Sequence, residues 1–284
     1  MAQIITNHKF FDHNINMGNK MKICDKEVSL VGLGTWGFGG GYWSEDYSED
    51  NKYIDILLFA YEKGINLFDT AEMYGNGHAE ELIGRALKDY QEKVFIISKV
   101  WPNHLYYDSL IKSAIKSRER LKIKSIDLYL IHWPNKNVKI EESIKAMEYL
   151  IDKGIIRCMG VSNFDVDLLN DAINSTKKYE IVANEIEYNV YNKWAEKDLI
   201  PFANKNGVKI IAYSPLGKGR VYYDEKLKEI GKKYGKTSVQ IALNYLIRNS
   251  IPIPKSANKN HIEEIMGSIG FSLTDDDYEY IKKL

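Results

Sequence analysis

Asn66-Leu67-Phe68-Asp69-Thr70-Ala71-Glu72-Met73-Tyr74-Gly75-Asn76-Gly77-His78-Ala79-Glu80-Glu81 is a strand, a loop and the start of a helix. The apolar run Asn66 to Phe68 has strand character and stops at an acid. A Gly/Asn-rich loop follows, and the chain restarts as a helix whose Ala79, Leu82, Ile83, Ala86 and Leu87 recur at the spacing of one buried face. Asp69 and Tyr74 therefore stand in a post-strand loop. Such loops collect the reactive groups of α/β proteins, so an acid and a phenol placed there are candidates for chemistry.

Outward from this unit the same alternation continues. Strand-like runs fall near 29–33, 66–69, 94–98, 126–131, 156–161, 181–187, 208–213 and 251–253, eight in all. Between them Tyr53, Ile54, Leu57, Leu58 and Tyr61 make one helical face, as do Leu110, Ile111, Ala114, Ile115 and Leu121, then Ile144, Met147, Leu150 and Ile151. Thr237 with Gln240, and Asn260 with Glu263, have the spacing of helix-starting caps, while Gly154, Gly207 and Gly235 stand where helices should end. No Pro/Gly/Ser linker or low-complexity tract divides the chain. Eight strand–helix units in one uninterrupted stretch predict an α/β fold, a closed (β/α)8 TIM barrel over residues 29–284, preceded by an N-terminal arm or hairpin over 1–28.

Composition narrows the function. The 284 residues carry 39 acidic and 39 basic side chains, a formal net charge of zero, and neither sign forms a long block. A general nucleic-acid or anionic-membrane surface is not expected. No uncharged apolar run is long enough to cross a bilayer, and the first twenty residues lack the apolar core of a signal peptide. Cys24 and Cys158 lie in no metal or C-x-x-C pattern and are expected to be buried thiols in a reducing compartment. A cytoplasmic protein, monomeric or a small homo-oligomer, is the expectation. His8, His13, His78 and His104 show no ligand spacing, so metal catalysis is not expected.

The strand ends carry the chemistry. The first runs into Gly32-Leu33-Gly34-Thr35-Trp36-Gly37, the second into Asp69 and Tyr74, the third into Ser98-Lys99-Val100-Trp101 and the fourth into His132-Trp133-Pro134. The fifth reaches Ser162-Asn163-Phe164, the sixth Glu185-Ile186-Glu187, the seventh Tyr213-Ser214-Pro215-Leu216-Gly217-Lys218-Gly219 and the eighth Pro254-Lys255-Ser256. Trp36, Trp43, Trp101, Trp133 and Trp194 all follow strands, implying an aromatic-walled pocket at the barrel mouth. Singly, Asp69 reads as a cap, Tyr74 as half-buried packing, Lys99 as a solvated strand end and His132 as a core histidine. Together they form a proton-donating chain: an ammonium beside a phenol favours its anion, a carboxylate holds that ammonium, and a histidine is free to bond a carbonyl oxygen. Phosphate sites in such barrels form from the loops after the seventh and eighth strands, which hold Gly217, Lys218, Gly219 and Lys255.

Gly32 to Gly37, Phe68-Asp69-Thr70-Ala71 through Tyr74-Gly75, Ile97-Ser98-Lys99, Leu130-Ile131-His132-Trp133, Gly160-Val161-Ser162-Asn163-Phe164 and Ile253-Pro254-Lys255-Ser256 resemble, in order, the motifs of the aldo-keto reductase family. The resemblance implies a barrel that binds NADPH, with NADH as the second candidate, and reduces aldehydes or ketones to alcohols or runs the reverse oxidation. It places the catalytic tetrad on Asp69, Tyr74, Lys99 and His132. The nicotinamide carboxamide falls to Ser162, Asn163 and Glu185, the ring to Tyr213, the pyrophosphate to Ser214, Leu216, Gly217, Lys218 and Gly219, and the 2′-phosphate to Lys255 and Ser256. Gly34, Thr35, Trp36, Asp69, His261 and Glu264 join the cofactor set, and Trp36, Trp43, Tyr74, Trp101, His132 and Trp133 the substrate set. Three departures stand out: Glu185 where the family usually has Gln, His261 where many members have Arg, and Ile265 where an Asn often meets the adenine. Without a long tail after Leu284, the pocket is expected to be open. Two rival readings are a cofactor-binding sensor or regulatory subunit, and an aldolase or isomerase with Lys99 as Schiff base.

Overall fold

Along each parallel strand alternate side chains face inward, and the inward set changes from apolar to polar toward the strand's end. Thus Leu67 precedes Asp69, Phe95 and Ile97 precede Lys99, Leu128 and Leu130 precede His132, and Ala183 precedes Glu185. A period of two makes both faces of such strands buried, one against the barrel axis and one against the helices. The computed structural model describes residues 20–284; the first part of the expected arm, residues 1–19, lies outside them.

The described chain begins with an antiparallel hairpin, β1 (Lys20–Ile23) and β2 (Lys26–Ser29), followed by β3 (Leu33–Gly34) and a small two-stranded excursion, β4 (Gly40–Gly41) and β5 (Ser44–Glu45). Then come α1 (Asp50–Glu62), β6 (Leu67–Asp69), α2 (His78–Ala86), β7 (Phe95–Val100), α3 (Tyr107–Leu121), β8 (Ile126–Ile131) and α4 (Ile140–Asp152). The second half holds β9 (Ile156–Ser162), α5 (Val166–Ser175), β10 (Ile181–Glu187), α6 (Leu199–Lys205), β11 (Lys209–Tyr213), α7 (Glu225–Tyr234), α8 (Ser238–Ile247), β12 (Ile251–Pro252), α9 (Lys259–Met266) and α10 (Asp275–Lys282). Eight strands lie in the order β3-β6-β7-β8-β9-β10-β11-β12, all parallel. Gly32 N–H donates to Pro252 O at 3.0 Å and Gly34 N–H to Pro254 O at 3.1 Å, which joins the first strand to the last and closes the (β/α)8 barrel. Each expected strand is present within a few residues.

Ile23 and Val28 of the hairpin pack with Leu67, Phe95, Ile97, Leu128, Leu130, Ala183, Ile211, Ile251 and Ile253, so the hairpin floors the barrel and the apolar core fills its lower half. Lys26, the first residue of β2, pairs with Asp127 at 3.0 Å. The interior is tight: a Cβ at Gly160 of β9 would stand 2.6 Å from the Ala183 carbonyl oxygen and 2.7 Å from Leu130 Cδ2.

Two expectations are corrected. Cys24 and Cys158 are joined as a disulfide, Cα to Cα 6.6 Å, because the hairpin turn docks beneath β9; spacing in sequence, 134 residues, gave no hint of it. The cap of α9 is Asn258, whose side chain accepts from Asn260 N–H at 2.8 Å, where Asn260 with Glu263 had been the expected pair. The other box is as expected: Thr237 accepts from Gln240 N–H and Gln240 from Thr237 N–H, at 3.2 and 3.1 Å. Among the described residues no helix is long and apolar enough to cross a membrane.

Phe95 is buried among the inward residues of neighbouring strands. Phe95→Ala is expected to lower unfolding free energy by about 3–5 kcal/mol in urea titrations, whereas Tyr280→Ala, on the exposed face of α10, should change it by less than about 0.5 kcal/mol.

Candidate active site

The polar ends of the strands meet above this apolar core. Lys99, on β7, is wholly buried, and its ammonium donates to Asp69 Oδ2 at 2.5 Å and to the Thr70 carbonyl at 3.0 Å. Its third neighbour is Glu185 Oε1 at 3.3 Å. The same ammonium lies 5.4 Å from the centre of the Tyr74 ring. Asp69 is held by its backbone as well: Thr35 donates to the Asp69 carbonyl through both N–H, at 2.9 Å, and hydroxyl, at 2.8 Å. The tetrad from three neighbouring strand ends is thus a single cluster.

Charge and burial set the protonation states. Burial pushes the Asp69 carboxyl up, against the pull of Lys99. For Lys99 burial opposes the charge, but Asp69 and then Glu185 outweigh it and the ammonium is held more firmly than usual. Burial, and then Lys99, push the His132 imidazole well below its ordinary range. It is neutral at neutral pH, its ring centre 5.9 Å from that of Tyr74, its Nδ1 without a hydrogen-bond partner among the described residues. Lys99 favours the Tyr74 anion as expected, but burial outweighs it and pushes the phenol up, and the nearby Asp69 charge adds to the rise. The ammonium does not act on the phenol alone, because two carboxyls share it.

On the opposite wall, Ser162 Oγ donates to the Glu185 carbonyl at 2.9 Å, and Asn163 Nδ2 to the His132 carbonyl at 3.1 Å. Asn163, in a left-handed conformation with φ 62°, accepts from the Tyr213 hydroxyl at 2.8 Å. Asn tolerates that region better than most side chains. Beyond them the loop after β11 takes left-handed values at Ser214, Gly217, Lys218 and Gly219, φ 49°, 55°, 55° and 90°. Lys218 and Lys255 give this end of the cavity its cationic groups, with His261 beside them.

The cavity is about 820 Å³ and is lined by Gly34, Trp36, Asp69, Tyr74, Trp101, His132, Trp133, Ser162, Asn163, Glu185, Tyr213, Ser214, Leu216, Lys218, Gly219, Lys255 and His261. Lys99, buried behind Asp69, does not line it, nor do Thr35, Trp43, Gly217, Ser256 and Glu264. Trp43 stacks edge-on against Trp101, ring centres 6.2 Å apart, and so backs the wall without forming it. Ser256 is turned onto its own loop, accepting from Asn258 N–H at 3.1 Å. Glu264 stands behind Tyr222, whose phenol is pushed up by burial and then by that charge. Trp194 lies apart from the cavity, and Ile265 is buried in the core outside the barrel. Tyr42, Met73, Glu187, Pro215 and Tyr222 line the cavity without having been singled out. Glu187 was within reach of the strand period, two residues beyond Glu185 on one face of β10; Tyr42 and Tyr222 belong to irregular segments that periodicity does not place.

The donor set fits a phosphorylated nicotinamide cofactor: cations at one end, and at the other a buried Glu185 Oε2 without a partner among the described residues. The profile of the Aldo/keto reductase family matches residues 30–284. Over 257 residues the chain is 34% identical to a methylglyoxal reductase of Escherichia coli (strain K12), covering 87% of this chain and 88% of that protein. A thermostable aldo-keto reductase solved with the inhibitor epalrestat has TM-score 0.89 at 40% identity, over 93% of this chain and 98% of that one. An aldo/keto reductase from Klebsiella pneumoniae in complex with NADP and acetate has TM-score 0.87 at 26% identity, over 94% and 95%.

Removing the ammonium leaves the buried Asp69 carboxylate without a counterion. Lys99→Met is expected to cost about 3–5 kcal/mol of stability near neutral pH. The deficit should shrink in melts at pH below the ordinary carboxylate range, where that carboxyl is neutral.

Proposed function

Since the chain belongs to the aldo-keto reductase family, we propose that Tyr74 is the proton donor and His132 the orienting group of its carbonyl reduction. The protein is an NADP-dependent oxidoreductase acting on aldehydes or ketones. The bound nicotinamide supplies the hydride that goes to the carbonyl carbon. All else is done by side chains.

A neutral imidazole can donate through N–H to the carbonyl oxygen without competing for the proton that oxygen will need. The single observation that carries the reading is that Asp69, Tyr74 and His132 line one cavity, with the buried Lys99 ammonium held against Asp69 behind them. A phenol with a raised pKa keeps its proton until a stronger base appears, and the nascent alkoxide is such a base. Once the proton has left, the phenolate is stabilised by the ammonium beside it. The firmly held Lys99 cation has no free amine to offer a carbonyl, which speaks against the Schiff-base rival.

Ser162, Asn163 and Glu185 would hold the carboxamide, Tyr213 the ring, and the Ser214–Gly219 loop the pyrophosphate. Lys255, with the His261 imidazole near it, is the group suited to a 2′-phosphate, so NADPH is the favoured form. For the substrate, Trp36, Trp101, Trp133 and Tyr42 offer an apolar aromatic wall, and Trp36 and Trp133 remain 37% and 44% exposed. Such a wall suits small aldehydes and ketoaldehydes, as the name of the Escherichia coli relative suggests, and leaves room for bulkier ones.

Tyr74→Phe keeps the ring and removes the proton; kcat for methylglyoxal reduction is expected to fall about 10²–10⁴-fold with NADPH affinity retained. Survival of near wild-type turnover would assign the acid elsewhere. Lys255→Met is expected to weaken NADPH about tenfold or more by fluorescence titration while leaving NADH nearly unchanged, since it removes a charge-assisted bond to phosphate.

A further inference from the structure

One dry layer holds two carboxyls and one ammonium. Lys99 has Asp69 at 2.5 Å and Glu185 at 3.3 Å, all three side chains being at most 4% exposed. Two anions on one cation would leave an uncompensated buried charge, which protein interiors avoid by binding a proton. Among the described residues no second cation is at hand, because His132 is held neutral. Asp69 has the shorter contact; Glu185 has the longer one, lies within hydrogen-bonding reach of the Asp69 carboxyl, and has at Oε2 no partner among the described residues. The proton therefore belongs on Glu185.

We propose that Glu185 stands in the site as a neutral carboxylic acid, and that this proton gates the grip on the nicotinamide. The proposal rests on the barrel mouth being the nicotinamide site. A neutral acid offers one donor and one acceptor, the pair a carboxamide requires; the carboxylate offers acceptors only and would meet the carboxamide oxygen with like polarity. Above its pKa Glu185 also competes with Asp69 for Lys99. The groups facing it are Asp69 from β6, Tyr74 from the loop after β6, Lys99 from β7, His132 after β8, Tyr213 of β11 and its own strand's Glu187.

The same proton enters folding. Burial, and then the Asp69 charge, hold the Glu185 carboxyl well above the ordinary carboxylate range. An acid whose folded pKa is raised binds its proton more tightly when folded, so stability falls as pH climbs from the ordinary value to the raised one. Glu185→Gln is uncharged throughout and should be spared that loss.

Infrared difference spectra and NADPH titrations by tryptophan fluorescence, on the full chain and on E185Q, test this. The expected results are a protonated-carboxyl C=O band near neutral pH that vanishes in E185Q, and an NADPH Kd that weakens with pH by up to about tenfold per unit above the Glu185 pKa in the wild type alone. The titrations run upward from about pH 7, above the 2′-phosphate step near ~6. Melts should show E185Q gaining on the wild type as pH rises. A wild type without the band, or Kd profiles of equal slope in both proteins, overturns the proposal. Absence of NADPH binding at every pH in both proteins would instead sink the cofactor reading, while the band still decides where the proton lies.

Discussion

The ammonium of Lys99 is the constraint on which the site depends. A wholly buried cation survives only if its charge is met at hydrogen-bond distance, and β6, β7 and β10 each contribute a group to it: Asp69, Lys99 itself and Glu185. The three strands must keep fixed register for this to hold, with Asp69 opposite Ile97 and Glu185 opposite Ser162. The polar layer in turn specifies that register, because a slip of one residue would turn the charges to the helix side and the apolar residues into the mouth. In the proposed reading, catalysis and fold specificity are served by the same contacts.

Rigidity below makes precision above affordable. The hairpin closes the barrel floor with Ile23 and Val28, the inward Phe, Leu and Ile side chains fill the space above it, and the polar groups have no room to sink. They are left pointing at the mouth, where a 3.3 Å contact to Glu185 and a 2.5 Å contact to Asp69 distinguish two acids of otherwise similar surroundings.

Much of this was legible in the residue order. The eight strands announced themselves because parallel strands buried on both faces read as near-continuous apolar runs, and Asp69, Tyr74, Lys99 and His132 fell at the ends of three of them. What escaped reading was whatever depends on contacts distant in sequence without a local pattern. The Cys24–Cys158 link exists because a hairpin turn docks under a strand 134 residues away. Tyr42 and Tyr222 enter the cavity from irregular segments. Asn258 caps α9 because the loop after β12 is two residues tighter than the Asn260 spacing implied. The direction of the Tyr74 shift depends first on how deeply the phenol is buried and then on the charges around Lys99, one of whose neighbours, Glu185, is 86 residues further along the chain.

That count bears on the chemistry itself. A phenol acidified in the resting site would be part phenolate at neutral pH and so part unable to donate. The raised phenol is fully loaded, and the driving force for its release comes from the base created by the reaction rather than from the site. Lys99 then acts late: with its charge already engaged by Asp69, it does little to the ground-state phenol and most to the phenolate that replaces it. Interactions that strengthen as charge develops accelerate a step, whereas those equally present beforehand do not. The second carboxyl at Glu185 is tolerable in such a site only while it is neutral. As an anion it would draw the ammonium's field away from Tyr74 when that field is required, which links the proton on Glu185 to the proton that Tyr74 gives up.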